Sequence, residues 1–173
     1  MEYIDDDKKL FDFLSALLPV FADRNKTKRS LSAKGMTNPE IYKELSKEKP
    51  YFIFINDLRS FFASVYSPSE GVAPMSGFVE NIIEKGSLHN VYLFGCIDTD
   101  SVLDVSGYKA YSEFVKYKRG VHLGGCVSAQ QIFSFQNIPF NETSRPYKKG
   151  IGLTPDDEDE TQGIKIVIPT AGR

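Results

Sequence analysis

The hydrophobic positions of the first thirty residues follow a helical period. Leu10, Phe13, Leu14, Leu17, Leu18 and Phe21 recur at i, i+3, i+4, i+7 spacing and predict a helix over 5–30 with one core-facing stripe. Asp5 to Asp7 at its start, and Arg24, Lys26, Lys28 and Arg29 towards its end, suit the helix dipole; Pro19 predicts a kink. "TNPEIYKELSKEKP" then predicts a second helix with Asn38 as N-cap, Pro39 as first residue and Pro50 as stop. The pattern changes at "YFIFINDL", residues 51–58, where an apolar run predicts a strand that ends on Asn56 and Asp57. Helices are expected from Leu58 to Tyr66 and from Gly77 to Lys85, separated by a Ser/Pro/Gly loop. "VYLFGCI", 91–97, predicts a second strand, buried on both faces. "SGYKAYSEFVKYK" follows as a helix, "GVHLGG" as a third strand and "SAQQIFSFQ" as a short helix. In the tail, "KGIGLTP", the acidic run "DDEDE" and "IKIVIP" predict a hairpin at a sheet edge. The alternation of strands and helices implies an α/β layered domain with a mostly parallel sheet, and there is no internal repeat.

Composition narrows the class of partner. A chain of 173 residues with 41% hydrophobic and 13% aromatic content fits one domain with a real core. A net charge of −2 gives no overall basic face and argues against a nucleic-acid partner. Cys96 and Cys126 show no CxxC spacing, and no signal peptide opens the chain, so a reducing compartment is expected. No apolar run approaches the roughly 18 to 20 residues that span a bilayer, so no direct membrane span is expected in this chain.

The candidate chemistry centres on the polar pair at the first strand's end. In open α/β sheets ligands bind outside the carboxyl ends of the strands, where Asn56 and Asp57 stand. A hydrophobic run ending in an acid also has the form of a Walker B motif, in which a strand-end carboxylate serves Mg²⁺ beside nucleotide phosphates. The structural alternative is that Asp57 caps the helix beginning at Leu58. Other candidates carry less. His122, Cys126 and Cys96 suggest zinc but lack a fourth ligand and a close pair, which favours buried structural roles. The run Asp156 to Glu160 lacks calcium-loop spacing and reads as a solvated loop. Lys116, Lys118 and Arg119, interleaved with Tyr117, read as a solvated helix end, with nucleic acid or a neighbouring subunit as the functional alternative. "LGGCVS", 123–128, reads as a tight turn.

The succession "PYFIFINDLRSFF", "FVENIIEKGSLHNVYLFGCIDTDSV", "KYKRGVHLGGCVSAQQIFSFQNIP" and "KKGIGLTPDDEDETQGIKIVIP" resembles the C-terminal part of an FtsK/SpoIIIE-type motor ATPase. More closely, it resembles the last ATPase domain of the EssC-type motors of type VII (Ess) secretion in Gram-positive bacteria, over nearly the whole chain. The resemblance implies a RecA-like, P-loop NTPase-type three-layer domain truncated on its P-loop side. One degenerate domain over 1–173 would comprise a helical lead-in (1–49), an α/β core (50–154) and an acidic loop with a C-terminal edge strand (155–173). Matched residue by residue, Asn56 and Asp57 replace the family's Asp-Glu pair, with Asp57 in the place of the catalytic water-orienting acid. Asp98 and Thr99 replace its Gln-Arg sensor pair. No GxxxxGK[ST] occurs, so by this matching the phosphate-binding half would precede Met1 and its absence would leave an apolar patch exposed. ATP and Mg²⁺ belong to the parent family; no cofactor is expected in this chain alone.

The resemblance therefore implies a cytoplasmic module of a membrane-associated secretion motor, acting in substrate recognition or regulation of export. Its partners would be secreted substrate proteins and neighbouring ATPase domains, with a homo-oligomer in the full-length protein. Two alternatives stand beside this. One is an active ATPase half-domain that needs an upstream P-loop; the other is an unrelated α/β ligand-binding domain.

Overall fold

The computed structural model describes residues 3–169, and its contacts divide the chain into two compact units, the second beginning at Phe114. The first unit opens with helix α1, Asp7–Ala33, capped by Asp6, whose carboxylate accepts from the Lys9 N–H at 2.7 Å. The helix is continuous through Pro19. Helix α2, Asn38–Leu45, is capped by Thr37, one residue earlier than expected: the Thr37 N–H and hydroxyl both donate to the Glu40 carboxylate at 2.8 Å. Strands β1, Tyr51–Ile55, and β2, Val91–Gly95, pair in parallel, with Tyr51 beside Val91 and Ile55 beside Gly95. Helices α3, Leu58–Tyr66, and α4, Ser76–Lys85, form the crossover between them, because parallel strands cannot be joined by a tight turn.

Period-two alternation decides which side chains the pair buries. Val91 packs with Leu14, Leu17, Phe21, Val65, Val79 and Ile82 in a core formed with α1, α3 and α4, and Tyr51, Ile53 and Leu93 lie against it. The opposite face holds Phe52, Phe54, Tyr92 and Phe94. Phe52 stacks on Tyr92 with ring centroids 5.5 Å apart and Phe54 on Phe94 at 5.1 Å. This face is open: Phe52, Phe54 and Phe94 are 56%, 71% and 50% exposed, so β2 is not buried on both faces as expected. Both strands are apolar throughout, and sequence alone gives such a run no exposed side.

Arg24, on α1, ties the amino ends of the two strands together. It is 6% exposed and has carbonyls, not a carboxylate, as partners: it donates to the Lys49 oxygen at 2.6 Å and to the His89 oxygen, and it lies 5.4 Å from the Tyr51 ring centroid. Past β2 the chain forms short helix α5, Val102–Val105, and then α6, Lys109–Val115, which is shorter than expected and runs across the division between the units.

The second unit is built on an antiparallel sheet of order β3-β4-β5, with β3 at His122–Leu123, β4 at Ile151–Pro155 and β5 at Gly163–Val167. The expected C-terminal hairpin is β4–β5. The expected third strand forms, but it pairs antiparallel with β4 and not with β1 or β2. An apolar run specifies a strand without specifying its partner. "SAQQIFSFQ" is not a helix beyond a 3-10 turn at Val127–Ala129. There the Gln130 side chain accepts from the N–H groups of Ile132 and Phe133 at 2.8 and 2.7 Å and donates to the Phe133 oxygen, taking the bonds a helix needs. A one-turn helix α7, Phe140–Thr143, precedes the hairpin. The class is α/β as expected, with a helix-backed parallel pair.

Candidate functional site

Asn56 and Asp57 directly follow β1, and Asp98 and Thr99 follow β2 three residues past its end. Because the strands are parallel and in register, both segments emerge at the same, carboxyl end. The backbone continues to pair beyond the strands: Cys96 N–H donates to the Ile55 oxygen and Leu58 N–H to the Cys96 oxygen, each at 2.9 Å. Asn56, Asp57 and Asp98 are all exposed and Thr99 is partly so.

The local geometry assigns Asp57 a definite task. Its backbone is extended at φ −142° and ψ 108°, and its carboxylate closes the first turn of α3. Oδ1 accepts from the Arg59 N–H at 3.0 Å; Oδ2 accepts from the Ser60 N–H at 3.2 Å and from the Ser60 hydroxyl at 2.5 Å. The Ser60 hydroxyl, followed by the two backbone N–H groups, holds the carboxyl below its ordinary range despite slight burial. Asp98 precedes a 3-10 turn, Thr99–Ser101, and makes no capping bond with its side chain; its carbonyl accepts from the Ser101 N–H at 2.9 Å. Arg59 and Asp104, which sequence reading passed over, form an ion pair at 2.9 Å linking the start of α3 to α5. Ser60, three residues after an N-cap acid, was the available signal for the closed turn.

Close packing fixes how the strand end meets α3. A Cβ on Gly95 would come within 2.7 Å of the Leu58 side chain, which is 1% exposed, so β2 must end on glycine for α3 to begin there.

Asn56 carries no charge for a cation, and the Asp57 carboxylate is turned into the first turn of its own helix, where it accepts three hydrogen bonds. Among the described residues no group of three or more His, Cys, Asp and Glu is placed to hold a metal ion. His122 is buried, its Nε2 has no hydrogen-bond partner among the described residues, and burial pushes its pKa down; the Cys126 thiol donates to the Ser144 carbonyl at 3.2 Å.

In the second unit the structure joins two features that the sequence presented separately. Lys118 pairs with Glu160 at 2.9 Å and Arg119 pairs with Asp157, so the basic cluster meets the acidic run. Together with Tyr117, Gly120, Thr154 and Pro155, they line an open polar cavity of about 270 Å³. Lys118 adopts a left-handed conformation at φ 47°. The acids also stabilise their own loop: Asp156 accepts from the Glu158 N–H at 2.7 Å, and Asp159 accepts from the N–H and hydroxyl of Thr161 at 3.0 and 2.7 Å.

Comparison with known proteins gives one strong likeness. No protein-family model and no curated protein matches the sequence. Among solved structures, the chain is similar to the cytoplasmic domain of EssC, with a TM-score of 0.67 and 16% identity over 96% of this chain. It spans 29% of that structure's chain. At this identity the likeness establishes a shared fold.

Proposed function

We infer that this chain is a module of a type VII secretion motor ATPase, degenerate in nucleotide chemistry, that acts in substrate recognition or in the control of protein export. The observation that carries this reading is the strand end after β1. A water-orienting acid must face the reacting water and a metal-organising position needs charge, whereas the Asp57 carboxylate is turned into the first turn of α3 by three hydrogen bonds and Asn56 is neutral. Likeness in fold to the cytoplasmic domain of EssC supports the setting, and with it a position on the cytoplasmic face of the membrane. No described helix is long and apolar enough to cross a membrane.

Secreted proteins and neighbouring ATPase domains are the partners this role requires, within a homo-oligomer of the full-length protein. Parallel sheets are normally covered on both faces, so the aromatic face of β1–β2 supports packing against a neighbouring domain.

One arrangement favours the rival reading of an active half-domain completed by a P-loop: Asp57 and Asp98 follow adjacent parallel strands. Asp57→Asn separates the two, because asparagine caps helices about as well as aspartate while removing the carboxylate. ATP turnover of the parent protein should be unchanged by this substitution, and the isolated chain should hydrolyse ATP no faster than buffer. A drop of roughly tenfold or more in parent turnover would establish Asp57 as the working acid.

A further inference from the structure

Strand β5 forms one edge of the β3-β4-β5 sheet, and its hydrogen-bonding parity can be read from the bonds that flank it. Asp156 N–H donates to the Gln162 oxygen at 2.9 Å and Ile168 N–H to the Gly150 oxygen at 2.7 Å. In an antiparallel ladder alternate residues face the partner, so Ile164 and Ile166 turn their backbone groups to β4 while Gly163, Lys165 and Val167 turn theirs outward.

The first outward position is already filled by a mimic of a neighbouring strand. The Asn137 side-chain amide accepts from the Gly163 N–H at 2.7 Å and donates to the Gly163 oxygen at 3.0 Å, and beside it Gln136 N–H donates to the Thr161 oxygen at 2.8 Å. There the added segment ends, because Pro139 is the N-cap of α7. Among the described residues nothing is hydrogen-bonded to the outward N–H and C=O of Lys165 or Val167. Val167 is 83% exposed. The usual guard against edge pairing, a lysine projecting from the strand, is weakened here. Lys165 is drawn to Glu142 at 2.8 Å and lies 5.8 Å from the Tyr147 ring centroid.

We propose that the free edge of β5 is a docking site for an extended peptide segment of a partner protein, which adds as a fourth strand beside Lys165 and Val167. The chemistry of the occupant follows from the edge. Two N–H/C=O pairs about 6.8 Å apart along a strand match the alternating groups of an extended backbone. The exposed Val167 favours an apolar or β-branched residue opposite it. The site is bounded by the Asn137 amide at one end and at the other by Pro169, which has no N–H to offer. A second copy of this chain fits less well. Pairing Lys165 with Lys165 or with Val167 of a second copy carries the Val167 or the Pro169 of that copy opposite Gly163, where the Asn137 amide already sits, and pairing Val167 with Val167 sets Pro169, which has no N–H, opposite Lys165. The inference stands apart from the strand-end reading and holds whether or not the chain serves a motor.

An acetylated, amidated peptide of three Thr-Val repeats is the probe, titrated into the full 173-residue chain while amide hydrogen exchange is followed residue by residue. Binding with a Kd at or below about 1 mM is expected, with new protection at the Lys165 and Val167 amides. The same peptide N-methylated at every residue should bind roughly tenfold more weakly or worse, since it loses its donors to the edge carbonyls. Absence of binding, equal affinity of the N-methylated peptide, or protection confined to other residues would overturn the proposal. Protection of Lys165 and Val167 that rises with protein concentration alone would assign the edge to a second copy instead.

Discussion

The two ends of the β1–β2 pair handle charge in opposite ways. At the amino end a guanidinium is buried without a carboxylate, satisfied by the carbonyls of Lys49 and His89 and resting on Tyr51. At the carboxyl end carboxylates stand in solvent, and the one nearest β1 is satisfied by the N–H groups of its own helix. The amino end joins α1 to segments far along the chain, so its loss should be felt throughout the first unit. The carboxyl end is a local device, and its loss should be small. A charged residue at a strand end is therefore weak evidence of chemistry until its partners are known.

The largest effect should come from Arg24→Ala, which leaves the carbonyls of Lys49 and His89 without their donor in the interior. A loss of about 3 kcal/mol is expected by denaturant unfolding. A loss below about 1 kcal/mol would show that the amino end is not the tie described. Gly95→Ala follows, at about 2 kcal/mol, because the new methyl meets the buried Leu58 side chain. That substitution probes packing at the carboxyl end without touching a charge. Asp57→Ala should cost about 1 kcal/mol, the ordinary value of an N-cap. Because the folded-state pKa of Asp57 is depressed, its contribution is present above the ordinary carboxyl pKa and is lost as pH falls through the folded value.

The smallest expected response is to mild acid and belongs to the amino end. His89 is 4% exposed, its Nδ1 has no hydrogen-bond partner among the described residues, and its pKa is lowered by burial and then by the nearby Lys28 and Arg24. The unfolded chain therefore binds a proton that the folded one refuses. Stability from this group is fully present above the ordinary histidine pKa of 6.5 and declines as pH falls below it. The midpoint of thermal unfolding should fall between pH 7 and pH 5, less steeply in His89→Gln; an equal slope in the two proteins would remove His89 as the cause. His122 acts in the same direction in the second unit, so part of the slope should survive.

What the sequence made legible follows from what is local. Periodicity found α1, α3 and α4 because each buries a regular stripe, β1 and β2 were legible as short apolar runs, and the C-terminal hairpin followed from a turn between two apolar runs. The partner of β3 was not legible, since "GVHLGG" describes a strand equally well in a parallel or an antiparallel sheet. Nor was the open aromatic face, because Phe52, Phe54 and Phe94 read in sequence as core. At the strand end, Asp57 as a helix cap was one of two readings open from the residues, and the bonds to Arg59 and Ser60 distinguish them. The Arg59–Asp104 pair and the Asn137 amide on β5 depend on contacts 45 and 26 positions apart, which no local pattern encodes.

The central claim is that Asp57 is a helix cap and not a catalytic acid, and the pair Asp57→Ser and Asp57→Ala tests it most directly. Serine keeps the cap and removes the carboxylate; alanine removes both. Thermal unfolding of the two variants and the parent chain, with and without Mg²⁺–ATP, should show Asp57→Ser within about 0.5 kcal/mol of the parent, Asp57→Ala about 1 kcal/mol below it, and no protein stabilised by nucleotide. Stabilisation of the parent by Mg²⁺–ATP that disappears in Asp57→Ser would contradict the account.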